Sequence, residues 1–126
     1  MKKYRQINII TGWLVFIVAA AVYLSTIEST ASFWDCGEFI ASAFKLEVGH
    51  PPGAPLFMII GRLFTLLAGD NTQKVPVMVN SMSALASAFT ILFLFWSVTH
   101  LARKLFAGKD EMTAGKIIAI IGSGVV

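Results

Sequence analysis

Asp35 and Glu38 stand three residues apart in the run Phe33-Trp34-Asp35-Cys36-Gly37-Glu38-Phe39, and Gly49-His50-Pro51-Pro52-Gly53 follows a short segment later. On a helix that spacing puts both carboxylates on one face. A carboxylate placed there can accept the proton of a hydroxyl that is otherwise a poor nucleophile. Asp35 is a candidate site residue, although a carboxylate near a helix N-terminus is also favoured by the dipole alone. Glu38 either shares the role, fixes Asp35, or is a solvated surface residue. His50 sits on the corner where two prolines stop any helix. It can offer a cation or donor to developing negative charge, or be a loop histidine with no partner.

Four further residues border this group. Arg62 lies inside an apolar stretch, where a charge is costly. It either pairs with Asp35 or a phosphate, or snorkels to an interface. Trp34 and Phe39 suit interfacial anchoring, while an aromatic can also stack on a pyranose ring. Cys36 is the single cysteine, so no internal disulfide or zinc spacing exists, and no cation beside it in sequence activates the thiol. We read it as a packed small residue. No metal ligand set is assigned. A divalent ion, left open as a cofactor, needs more oxygen ligands than Asp35 and Glu38 supply.

The surrounding sequence belongs to a membrane. Of 126 residues, 56% are hydrophobic and 13% charged, against roughly 25% charged in soluble domains. The net charge of +3 comes from ten Lys/Arg against seven Asp/Glu, scattered in short loops between apolar runs. That pattern fits helix orientation and argues against nucleic-acid binding. The expected fold is all-α: polytopic transmembrane helices with an amphipathic interfacial helix in the first outer loop. Residues 1–126 form the N-terminal part of one membrane domain.

Spans are expected at 9–27, 53–69 and 77–101, an interfacial helix at 34–46, and a further, truncated span at 117–126. The run 9–27 has no charge and exceeds the roughly 7–15 residues of a signal-peptide core. Its basic flank, Lys2, Lys3 and Arg5, places the N-terminus in the cytoplasm. Ser32 is the expected cap of the interfacial helix, and Gly49 suits its C-terminal end. Phe33, Ile40, Phe44 and Val48 form its apolar side; Asp35, Glu38, Ser42 and Lys45 form the other. Because the chain ends inside the run 117–126, we expect the N-terminal piece of a longer polytopic protein, or a truncated product, inactive alone.

The segment 53–69 carries a conflict. If it spans, Arg103, Lys104 and Lys109 fall outside, against the positive-inside rule; if it is re-entrant, they fall inside.

The order of first helix, outer loop with an acidic pair, and Pro-Pro corner resembles the GT-C glycosyltransferases, including protein O-mannosyltransferases and the aminoarabinose transferases of lipid A. The residues 33–41, with Val48-Gly49-His50-Pro51-Pro52-Gly53 and Pro55-Leu56-Phe57, more closely resemble the DUF2723 family. The resemblance implies that Asp35, with Glu38, forms the catalytic pair, Asp35 acting beside the acceptor hydroxyl as base or as a metal ligand. It implies that His50 faces a lipid phosphate, and Arg62 and Trp34 are the further residues expected to bind substrate, on the grounds given above. It also favours full crossing by 53–69, with Lys74 in the cytoplasm and Arg62 facing Asn80, Ser81 and Ser87.

The function implied is transfer of a sugar from a polyprenyl-phosphate donor to a protein Ser/Thr or lipid hydroxyl. The implied location is a bacterial inner membrane, multi-pass, with the site facing the periplasm. The partners are membrane lipid, donor and acceptor, with no nucleic acid. The alternatives are a non-catalytic membrane scaffold subunit and a transporter fragment whose broken helix lines a substrate path.

Overall fold

The computed structural model describes residues 2–32, 34–51, 53–106 and 113–125. Phe33 and Pro52 of the motif, and Lys109 of the basic loop, lie outside the described residues. The helices are α1 (Lys2–Ser25), α2 (Cys36–Lys45), α3 (Pro55–Thr65), α4 (Val75–Phe106) and α5 (Ala114–Val125), and no strand occurs among the described residues. A 3-10 turn, Leu66–Ala68, extends α3, and another, Thr72–Lys74, leads into α4. Pro55 and Pro76 stand at the starts of α3 and α4, where a missing N–H costs nothing.

Helix lengths separate the apolar runs into two kinds. α1, and α4 with its preceding turn (Thr72–Phe106), are long and apolar enough to cross a membrane. Pro55–Ala68 and Ala114–Val125 are apolar but shorter. Of the run 53–69, Pro55–Ala68 is helical with a 3-10 last turn, starting at Pro55 and followed by Gly69 at a φ of 56°.

The chain divides into two compact units. One comprises Met1–Val22 and Ser87–Val126. In it α1 packs antiparallel to the second half of α4, since Tyr4, Trp13 and Phe16 meet Thr99, Trp96 and Phe89 in reverse order. The Phe16 and Phe89 rings lie 4.6 Å apart. A side chain on Gly12 would strike the Trp96 indole, so glycine is what lets these helices approach. Ile117 and Ile120 of α5 join Tyr4 and Ala102 in this core.

The other unit, Tyr23–Ala86, holds the residues of chemical interest. Its core is Ile40 and Ala43 of α2, Met58 of α3, Ala68, and Val75, Val79 and Met82 of α4. α2 buries its apolar face against α3. Phe39 meets Phe57 edge-on with centroids 5.4 Å apart, and fully buried Ala43 faces Gly61. The division of α2 into two faces needs correction at two residues. Ser42, assigned to the polar side, is buried, and Val48, assigned to the apolar side, lies beyond the helix and is exposed.

The caps of α2 also differ from expectation. Ser32 does not cap it: its hydroxyl donates to the Cys36 Sγ at 3.1 Å, and Asp35 occupies the cap position. At the other end Leu46, in a left-handed conformation, stops the helix, its N–H and that of Glu47 both donating to the Ser42 carbonyl. Gly49 is thereby released for another task.

Candidate active site

Asp35 is held by its backbone, not its side chain. Its carbonyl accepts the Phe39 N–H at 3.0 Å, while its carboxylate makes no capping bond. The exposed carboxylate is therefore left open beside a cavity of about 370 Å³. The lining comprises Trp34, Asp35 and Cys36 ahead of and on the first turn of α2, Phe39, Ile40 and Phe57 behind them, and Val79, Asn80 and Ser83 of α4.

The polar atoms of that lining are mostly engaged. The Asn80 amide donates to the Glu28 carbonyl at 2.8 Å and to the Thr30 carbonyl at 3.3 Å, strapping the loop after α1 onto α4. The Ser83 hydroxyl donates to the Val79 carbonyl. Glu28 is itself folded back, accepting from both the N–H and the hydroxyl of Thr30, which holds its carboxyl below the usual range. Asn80, expected near Arg62, instead builds a cavity wall.

Glu38 and His50 form a pair. One Glu38 oxygen accepts the His50 backbone N–H at 2.7 Å, and the other lies 2.9 Å from His50 Nδ1. This rules out both a partnerless His50 and a purely solvated Glu38. Gly49 makes the approach feasible, because a Cβ there would stand 3.1 Å from the Glu38 oxygen. The turn His50–Gly53, closed by the Gly53 N–H on the His50 carbonyl at 2.9 Å, presents the ring. The Phe39 ring, which also lines the cavity, meets it edge-on at 6.3 Å.

The bond to Glu38 raises the His50 pKa above its ordinary 6.5, with the charges of Glu38 and then Asp35 acting the same way. The same bond lowers that of Glu38 from 4.5. His50 therefore contributes fully below 6.5 and loses its contribution as pH rises through the raised value. Glu38 contributes fully above 4.5 and loses its share as pH falls through the lowered one. Between those limits the pair is charged, with Nε2 of the imidazolium free of the Glu38 contact. Glu38→Gln is expected to return His50 toward 6.5 in an imidazole NMR titration. A His50 titration that ignores the substitution would contradict the pairing.

Arg62 is not brought to Asp35. Its guanidinium donates to the Phe44 carbonyl in the last turn of α2 and lies 5.4 Å from the centroid of the Phe44 ring. A cation suits the negative end of a helix. Nor does Ser81 receive it; the Ser81 hydroxyl bonds its own helix at Val77. Among the described residues no three His, Cys, Asp or Glu side chains gather as metal ligands.

Residues 35–126, beginning at the open carboxylate itself, match the family described as the protein O-mannosyl-transferase TMEM260 N-terminal domain. The chain belongs to this family. It is 33% identical over 85 residues to the protein O-mannosyl-transferase tmem260 of Dictyostelium discoideum, covering 68% of this chain and 10% of that protein. It is 35% identical over 88 residues to the mouse protein O-mannosyl-transferase TMEM260, covering 70% of this chain and 12% of that protein. The chain thus spans about a tenth of the length of these curated relatives. No solved structure matches it. The resemblance drawn from the motif is supported at this level, that of an O-mannosyl-transferase N-terminal domain.

Proposed function

We propose that this chain is the N-terminal part of a membrane glycosyltransferase that moves a sugar from a polyprenyl-phosphate donor to a protein hydroxyl on the outer face. The observation that carries the reading is the uncapped Asp35 carboxylate on a cavity, next to the Glu38–His50 pair, in a chain whose relatives are named O-mannosyl-transferases. With the Asn80 and Ser83 donors engaged, the cavity suits a neutral, hydroxyl-bearing group better than a phosphate. Asp35 takes the acceptor proton as the hydroxyl oxygen forms its bond to the anomeric carbon. The bond from that carbon to the phosphate oxygen breaks, and the electron pair leaves with the phosphate. Imidazolium His50, through Nε2, faces that departing charge. Glu38 holds the ring, and Arg62 fixes α2 in place of binding phosphate. Asp35→Asn in the full-length protein, at matched expression, tests the reading through glycan on exported proteins.

Helix length favours one topology. α1 carries its basic flank to the cytoplasm and crosses outward; α4, at roughly 48 Å, crosses back with length to spare. Arg103 and Lys104, in its last turn, then lie inside, as the positive-inside rule asks. α3 with its 3-10 turn is too short for the hydrocarbon core, so 53–69 stays in the outer leaflet. Its outward stripe of Leu56, Ile59, Leu63, Leu66 and Leu67 is apolar and exposed, as a helix lying at the interface requires. On this reading 53–69 does not cross, and the charge conflict of the expected crossing does not arise. Lys74→Cys, in a Cys36→Ser background, should react with an impermeant thiol reagent in intact cells. Protection until the membrane is opened would restore the crossing helix.

A further inference from the structure

We propose that Trp34 is a stacking platform at the mouth of the Asp35 cavity, taking the neutral pyranose ring of the substrate against its indole face and so helping to select it. This rests on the transferase reading above.

Only two non-glycine residues among those described have positive φ: Leu46 at 56° and Trp34 at 68°. For a bulky residue that region is strained. Leu46 has a return for it, since the left-handed turn satisfies the last carbonyls of α2. Trp34 has no such return from packing. Its side chain, the largest a protein carries, is 93% exposed.

What the turn achieves is placement. Directly ahead of Asp35, it sets Trp34 on the lining of the same cavity as the carboxylate, with its side chain almost wholly exposed. An aromatic face takes the C–H face of a sugar, while the Asp35 carboxylate accepts from a hydroxyl within the same reach. Burial in headgroups alone is the rival use of an exposed indole. That use explains neither the left-handed backbone nor a position on the cavity wall.

Glycine adopts this backbone freely, so Trp34→Gly removes the ring while keeping the turn. In the full-length protein in nanodiscs, with a short-chain polyprenyl-phosphate mannose as donor, Trp34→Gly should raise KM roughly tenfold or more. Its Tm should be unchanged or higher. Trp34→Phe should stay within about threefold of the parent. The Trp34 indole N–H resonance should shift as the donor is titrated. An unchanged KM in Trp34→Gly overturns the proposal. So does a lower Tm with kcat reduced for every substrate alike, the mark of a packing residue. Emission quenched by doxyl lipid with no shift on titration marks an anchor and overturns it too. A donor-induced shift without any transfer by the parent would keep the platform and remove the transferase reading. Wild-type kinetics in Trp34→Gly would do the reverse.

Discussion

Asp35→Asn is expected to lower transfer by roughly 10²–10⁴-fold, the range over which a positioned base contributes. The substitution keeps the shape of the side chain and deletes its basicity. It should leave folding almost untouched, for three reasons. The carboxylate caps no backbone N–H, the residue is exposed, and Asn is itself a good residue at a helix cap. The backbone carbonyl that receives the Phe39 N–H is the same in both. The signature is therefore a fall in kcat with parental protein level and Tm. Loss of protein in step with loss of activity would make Asp35 structural.

The second large effect is on stability. Gly61→Ala in the middle of α3 would gain about 1 kcal/mol of helix propensity at an open site. Here the new Cβ would lie 2.9 Å from the Cβ of Ala43, which is fully buried, so α2 must move away from α3. Overpacking of that kind costs about 1–3 kcal/mol, which exceeds the gain. Gly61→Val should be worse. Because α2 carries Asp35 at one end and is clamped by Arg62 at the other, activity should fall with stability. Ala43→Gly should rescue Gly61→Ala, the non-additivity expected of touching residues. A higher Tm for Gly61→Ala alone would contradict the close approach.

The helices themselves were legible in the sequence, because long uncharged runs and proline starts leave few alternatives. Their lengths were less so. The apolar run 53–69 reads as one span, and composition does not record that its helix starts at Pro55 and tightens into a 3-10 turn before Gly69. In the site, the acidic pair and His50 stood out by type. The bond between Glu38 and His50 did not, since it closes across a loop and depends on a missing Cβ at Gly49. Arg62 was conspicuous for its charge, yet its partner is the Phe44 backbone carbonyl, and such acceptors have no sequence signature. Asn80 was invisible as a wall of the cavity for the same reason: it binds the carbonyls of residues 28 and 30. The turn at Trp34 could not be read from residue type, since tryptophan is among the last residues one would place at positive φ.

The most direct measurement is transfer itself. The full-length protein in sealed liposomes is given polyprenyl-phosphate mannose and a Ser/Thr peptide, and the peptide is read by mass spectrometry. The prediction is a hexose on the hydroxyl with the parent protein and none with Asp35→Asn, from this donor without any nucleotide sugar. Equal modification by both proteins, or transfer that requires a nucleotide sugar, would contradict it.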